Sequence, residues 1–327
     1  MADELTRRPV LIVGAPRSGT TWVASVLSQV CGARLVHEPD NDLVNPFALR
    51  AKAGLGRYPV IAAGDVARDY ERLWASAFDP GVRGVSPRDL TARGVLRFTS
   101  VNWADRIVEG DTRPGTRALK AVFDQLAVPR GRVGPPADVP MVKSVHSAFA
   151  LDFITSRWQP SVVVVFRDPL NAIASWLELG FKPRHFEADR RVRRQVIDRL
   201  GLPLPRTDDE VTSVAYTYLV LSASLRASVA AHSGWSTVVH EDLCADPQAG
   251  FAKLLAELGL PFSAAVEQRI RGSNRPGSGY QTNRVASLQP DRWRQRLSAS
   301  QAYRIMAIAG EFGRHPAPHD VGVGSGA

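Results

Sequence analysis

The sequence predicts an α/β fold: a doubly wound, mostly parallel sheet with helices on both faces. Two observations predict it. Candidate strands recur along the chain, with Val10 to Val13 a continuous apolar run of the buried-strand type and others at Arg34 to His37, Pro140 to Lys143, Ser161 to Phe166 and Ser236 to His240, most of them preceding residues that can open a helix. Alternating strands and helices imply parallel crossover connections. The second observation is a glycine-framed loop, Gly14 to Gly19, between the first strand and its helix. In an open parallel sheet, ligands bind beyond the carboxyl ends of the strands, where this loop would lie.

Each element can be justified in turn. After Val10 to Val13, the turn at Gly14, Ala15 and Pro16 gives way to helical spacing from Thr20: Trp22, Val23, Val26, Leu27 and Val30 recur on one face up to a C-cap-like Gly32. Arg34 to His37 runs into Glu38-Pro39, which suits a loop at a strand's carboxyl end. Residues 45–118 lack clear strands and read as helices and loops over one side of the sheet, with Val66 to Phe78 the best helical piece. Residues 187–200 carry five arginines against three acids and read as a solvated helix. A Gly/Pro-punctuated stretch follows, and residues 314–327 read as a disordered tail. These readings make residues 1–313 one domain, with 45–118 and 180–210 as cap segments around an acceptor.

Composition narrows the function. The chain has 327 residues, 44% hydrophobic and 22% charged, enough to bury a sizeable core. Neither an uninterrupted apolar run of membrane-spanning length nor a signal-type apolar stretch is present, so a cytoplasmic protein without a membrane partner is expected. Two cysteines, Cys31 and Cys244, lie far apart and read as buried small apolar side chains. Seven histidines without an HExxH pattern give no metal site. The formal charge of +9 favours an anionic partner. The basic residues are scattered and follow no nucleic-acid-binding pattern, so a phosphorylated cosubstrate fits better than nucleic acid.

The loop Gly14-Ala-Pro16-Arg17-Ser18-Gly19-Thr20-Thr21-Trp22 carries the strongest chemical signal. It keeps the frame of a phosphate-binding loop, but Thr20 stands where a nucleotide triphosphatase needs lysine. Backbone N–H groups and the helix N-terminus bind phosphate whatever the side chains are. Without the lysine, and with Arg17 inside the loop, the frame suits a 5'-phosphate carrying one further group.

This PRSGTTW segment resembles the 5'-phosphosulfate loop of the sulfotransferases that use 3'-phosphoadenosine 5'-phosphosulfate (PAPS) and release adenosine 3',5'-bisphosphate. The resemblance implies that Arg17 contacts the phosphosulfate, that Pro16, Ser18, Gly19, Thr20 and Thr21 form the 5'-phosphate site, and that Trp22 packs on adenine. The run Val162 to Trp176 is similar to the family's 3'-phosphate motif, a strand ending in Arg167-Asp168-Pro169 with Ser175 eight residues after the arginine. Ser175 then falls two helical turns on, so both side chains can face one phosphate. His240-Glu241-Asp242-Leu243 resembles a third family element, with His240 in its tyrosine position. Arg284, Ser287, Trp293 and Arg294 look like the C-terminal cosubstrate segment of the carbohydrate-type branch. The Arg-Lys-Gly signature of the cytosolic steroid and phenol enzymes is absent.

The resemblance implies sulfuryl transfer by in-line displacement to a hydroxyl or amine of a small-molecule or carbohydrate acceptor, with no metal and with a homodimer compatible. Such chemistry needs a base and cations around the developing charge. Glu38 is the favoured base, since His37-Glu38-Pro39 resembles the Glu-Pro element of carbohydrate sulfotransferases. His146 is the reserve, because Lys143-Ser-Val-His146 is similar to the Lys-Thr-His of cytosolic members with the histidine one residue late. Lys143 and Arg17 are the candidate cations. The alternatives are a phosphate-loop nucleotide kinase and a non-catalytic nucleotide-binding relative.

Overall fold

Burial on both faces explains why Val10 to Val13 and Val162 to Val165 are continuously apolar, whereas the edge strands Ala33–His37 and Ser236–Val239 are less buried and mixed in composition. The computed structural model describes residues 8–84, 86–129, 131–136, 139–206, 209–276, 283 and 285–313. Strand β1 (Val10–Val13) leads through the glycine loop into α1 (Thr20–Leu27) and β2 (Ala33–His37). Helices α2 (Pro46–Ala51) and α3 (Arg68–Phe78), strand β3 (Gly81–Gly84), and helices α4 (Pro87–Phe98), α5 (Val101–Val108) and α6 (Pro114–Leu126) follow. Then come β4 (Gly131–Pro136), β5 (Val139–Ser144), α7 (Leu151–Trp158), β6 (Ser161–Phe166) and α8 (Pro169–Glu178). A short turn α9 (Arg190–Val192) continues into a π-helix, Arg193–Asp198, and then α10 (Glu210–Ala231). Strand β7 (Ser236–Val239) and helices α11 (His240–Ala245), α12 (Pro247–Glu257), α13 (Ala264–Ser273) and α14 (Ala299–Gly313) complete the chain order.

The main sheet has the order β2-β5-β1-β6-β7, and every neighbouring pair is parallel. Alternate side chains enter two cores. Leu11, Val13, Val142, Val162 and Val164 join the larger one, built with α2, α3, α7, α8 and α10. Val10, Ile12, Met141, Val163 and Val165 join the other, with α1, α12 and α13. Strand β1 lies in the middle and no residue of it is more than 2% exposed, which is why it reads as an apolar run without alternation.

Several expectations change. The described part of 45–118 is mostly helical, but β3 pairs antiparallel with β4 in a second, two-stranded sheet. Their sequences, GVRG and GRVGPP, carry little strand propensity, and only pairing makes them strands. Helix α1 stops at Leu27; Gly32, with φ 75°, belongs to the turn before β2. The arginine-rich stretch is not a simple solvated helix, because Val192, Val196 and Ile197 are buried and the helix widens to π geometry. Cys31 is exposed rather than buried, since α1 has already ended and Cys31 falls in the following turn; Cys244 is buried. Trp74 and Phe78 are core residues, whereas Phe98 is 90% exposed. Helix α10 is long and apolar enough to cross a membrane by length and composition alone, yet it is mostly buried and packs on α8 and α14. The tail 314–327 lies outside the described residues.

Candidate active site

The carboxyl end of β1 delivers the glycine loop against β6. A Cβ on Gly14 would stand 2.6 Å from the Val165 carbonyl oxygen, so only glycine lets the two backbones approach this closely. Gly19, at φ 96° and ψ 3°, turns the chain into α1, and no side chain caps that helix. Its first N–H groups therefore point into the loop without intrahelical partners. Ser18 is buried, and its hydroxyl has no hydrogen-bond partner among the described residues. An uncapped helix N-terminus with an orphaned hydroxyl beside it fits an anion.

Arg17 itself sits at φ 68°, a left-handed conformation that costs a non-glycine residue about 1–2 kcal/mol. Arg17 Nε donates to Ser175 Oγ at 3.1 Å. Arg167, at the end of β6, donates through Nη1 to the Arg17 carbonyl at 2.8 Å. Thus Arg17, Arg167 and Ser175, 158 positions apart at the extremes, form one cluster. Trp176 Nε1 holds the Pro16 carbonyl at 2.7 Å, and Tyr218 donates to the Arg167 carbonyl at 2.8 Å.

Asp168 does not pair with Arg167. Its carboxylate caps α8 by accepting from Asn171 N–H at 3.1 Å, while Glu241 takes the Asp168 N–H at 3.1 Å and lies 3.8 Å from Arg167 Nε. Burial pulls the Arg167 guanidinium below its usual range, against Glu241, which acts to hold it up. Arg17 and Arg167 repel each other electrostatically, and Arg17 acts likewise on Lys143 and Arg296. Lys143 is paired with Glu38 and Arg296 with Glu178, and Glu241 lies near Arg167, so the protein's own carboxylates offset part of this repulsion.

Because β2 pairs with β5, the residues after them meet. Glu38 N–H donates to the Lys143 carbonyl at 2.8 Å, and Lys143 Nζ hydrogen-bonds Glu38 Oε1. Glu38 also has a left-handed backbone, at φ 45°. Among the described residues, the non-glycine positions with positive φ are Arg17, Glu38 and Gln159, so two of three are candidate site residues. Burial would raise the Glu38 carboxyl, but Lys143 and the Asn41 amide together hold it well below the usual carboxylate range. Burial lowers the Lys143 ammonium, opposed by Glu38.

His146 is placed differently. Burial, with Lys52 next, drives its pKa down to about 3, so it is neutral. Its Nδ1 lies 3.5 Å from both Lys52 Nζ and the Asp40 carbonyl oxygen, and Tyr58 packs edge-on against the ring. Beneath it runs an ionic network: Lys52, fully buried, donates to Asp42 at 2.6 Å; Asp42 binds Arg57; and Arg57 and Arg184 share Asp105.

The sequence carries the family's imprint over most of this frame. A family model for the sulfotransferase family matches residues 9–264. The chain belongs to the sulfotransferase family. It is a transferase with sulfotransferase activity, on the same α/β framework that the strands and loop define. Among solved structures, this sulfotransferase is similar to the sulfotransferase domain of the Synechococcus PCC 7002 olefin synthase, at 16% identity and TM-score 0.45, covering 95% of this chain and 97% of that one. It is similar to mouse sulfotransferase SULT7A1 complexed with PAP, at 11% identity and TM-score 0.43, covering 94% and 85%. For Mycobacterium avium STF9 the values are 14% and 0.42, covering 94% and 76%. No curated protein sequence matches this chain.

Other expected residues of the sulfotransferase support the frame. Trp22, half-buried, donates to Ser273 Oγ at 2.9 Å and meets His240 and Phe251 edge-on. His240 is buried against Gly19, where a Cβ would lie 2.3 Å from its Cδ2, so the ring packs behind the loop. Trp293 is held through its N–H by Asn171 Oδ1 at 3.2 Å, and Asn171 Nδ2 donates to the Pro290 carbonyl at 2.8 Å. Asn171, two residues after Pro169, thus docks the C-terminal segment on α8. Ser287 is exposed, and Arg284 lies outside the described residues. Two open grooves, of about 440 and 380 Å³, lie elsewhere, along α14 and beside the π-helix. At the loop itself, the cations and carboxylates are folded onto one another. Sequence reading missed Asn41, Lys52, Asp42, Arg57 and Asn171; only the short spacing of Glu38, Asp40, Asn41 and Asp42 hinted at a polar cluster.

Proposed function

We propose that this sulfotransferase takes its sulfuryl group from PAPS and passes it by in-line displacement to a hydroxyl or amine of a small-molecule or carbohydrate acceptor. The supporting observation is the loop of residues 14–19, with an uncapped helix, an orphaned Ser18 hydroxyl and the Arg17, Arg167 and Lys143 cations around it. Those residues fit a ligand with anionic groups at both ends of a nucleoside. Ser18, Gly19, Thr20 and Thr21 would hold the 5'-phosphate, Arg167 and Ser175 the 3'-phosphate, and Trp22 the base, with Ser287 and Trp293 as further cosubstrate contacts; His240 backs the loop, and Arg284 is carried by the resemblance alone.

Bound PAPS supplies the sulfuryl group. Glu38 takes the acceptor's proton as the acceptor oxygen or nitrogen bonds to sulfur. Lys143 and Arg17 face the negative charge that grows on the leaving phosphate oxygen. Glu38 is favoured over His146 because its side chain is 14% exposed and linked to Lys143, whereas His146 is buried among Lys52, Asp42 and Tyr58. We place the activity in one domain, residues 1–313, in the cytoplasm, with 45–118 and 180–210 around the acceptor. A kinase would need a strand-end acid for its metal, and Asp168 is engaged as the α8 cap.

The test is thermal stabilisation. Adenosine 3',5'-bisphosphate at 100 times its Kd should add roughly 2.7 kcal/mol of stability and raise Tm, with AMP weaker and ATP plus Mg²⁺ inert. A shift with ATP and Mg²⁺ alone sinks the proposal in favour of a kinase.

A further inference from the structure

The proposed base and one proposed cation are hydrogen-bonded to each other, Lys143 Nζ to Glu38 Oε1. A carboxylate beside an ammonium is a weak base, and an ammonium already holding a carboxylate stabilises a second anion poorly. Both roles are open to them once Lys143 turns toward the cosubstrate anion. Glu38 then depends on whatever else holds it.

Among the described residues, the other side chain that hydrogen-bonds its carboxylate is Asn41, whose Nδ2 donates to Oε2 at 2.6 Å. The amide cannot flip without loss, because Asn41 Oδ1 accepts from Leu43 N–H at 3.0 Å. The Asn41 N–H in turn donates to the Glu38 carbonyl at 3.1 Å, closing a turn that brings the Asn41 amide back beside Glu38. The two carboxylate oxygens are therefore distinct: Oε1 faces the Lys143 ammonium, and Oε2 faces a neutral donor whose amide oxygen is tied to the backbone. Other titratable groups within electrostatic reach of Glu38 are His37, Asp40, His146 and Tyr58, with Arg17 beyond Lys143. None of these is a fixed neutral donor on the carboxylate.

We propose that Asn41 is a positioning residue that keeps the Glu38 carboxylate in place when Lys143 turns to the cosubstrate. The proposal rests on the reading of Glu38 as the base. Asn41 has no assigned contact with cosubstrate or acceptor; it acts through Glu38, and its amide is tied to the backbone by the Leu43 N–H.

The experiment uses the full chain saturated with adenosine 3',5'-bisphosphate, its glutamates labelled with ¹³C at Cδ. The Glu38 signal is assigned by its loss in Glu38→Gln, and its titration midpoint is followed by NMR. Asn41→Ala should raise that midpoint by about 1 pH unit, the effect of losing one hydrogen bond to the charged form. Asn41→Asp, which keeps the Leu43 contact and the shape, should raise it further, because a second carboxylate replaces a donor. Hydrolysis of PAPS, with water as acceptor, should fall about 10-fold in Asn41→Ala, its acid limb moving with the NMR midpoint, at unchanged bisphosphate affinity. An unmoved midpoint in both variants overturns the proposal and leaves the base reading intact. Full PAPS hydrolysis by Glu38→Gln overturns the base reading and the proposal with it.

Discussion

Replacing Gly19 with alanine breaks the loop in two separable ways. At φ 96° an alanine is strained, at about 1–2 kcal/mol. Its Cβ would also stand 2.3 Å from His240 Cδ2 and 3.3 Å from two further ring atoms. The ring has little room to retreat: it is buried, edge-on to Trp22, with Cys244 Sγ 3.7 Å from Nδ1. Overpacking of this kind costs about 1–3 kcal/mol, so Gly19→Ala should lose roughly 2–5 kcal/mol in urea unfolding. His240→Ala alone leaves a cavity at about 2–4 kcal/mol. In the double variant the clash is gone and only the backbone strain remains, so its loss should fall short of the sum by about 1–3 kcal/mol. Strict additivity, within about 0.5 kcal/mol, would mean that His240 does not pack behind the loop and would refute the reasoning.

Three further predictions test other parts of the site. Arg167→Ala should weaken adenosine 3',5'-bisphosphate by about 10–100-fold in calorimetry and AMP much less; equal losses would remove the 3'-phosphate assignment. Asp40 is raised by burial to about 6, and one of its oxygens is buried without a partner, so its charge destabilises the fold as pH rises from about 4 through 6. Asp40→Asn should therefore raise Tm at pH 8, by up to about 3 kcal/mol of stability, and give no gain at pH 4; a gain independent of pH would contradict the linkage. Lys52→Met should cost about 3–5 kcal/mol, because it leaves Asp42 and Asp40 in a dry site with one fewer cation, whereas a loss under about 1 kcal/mol would show that the network contributes little.

The main strands were legible because a central parallel strand must be apolar on both faces, and Val10 to Val13 and Val162 to Val165 can be little else. The glycine loop was legible because its geometry demands glycine at a close approach and at a positive φ, and these leave a fixed spacing. Strands β3 and β4 were not, since their residues have little preference that pairing does not supply. Nor was the π-helix, whose widened turn follows from burying Val192, Val196 and Ile197 together rather than from any local signal.

By itself, then, the sequence determined the parallel α/β frame, the glycine loop at the carboxyl end of its central strand, and the residue types that point to sulfuryl transfer. The tertiary structure alone decided which charges meet. Glu38 reaches Lys143 only because β2 pairs with β5, Arg17 reaches Ser175 only across the β1 and β6 ends, and Lys52 lies near His146 only because the end of α2 comes against the turn after β5. Periodicity is a local property, written into consecutive residues by burial. The pairing of polar groups 105 and 158 positions apart depends on strand order, which no window of sequence contains.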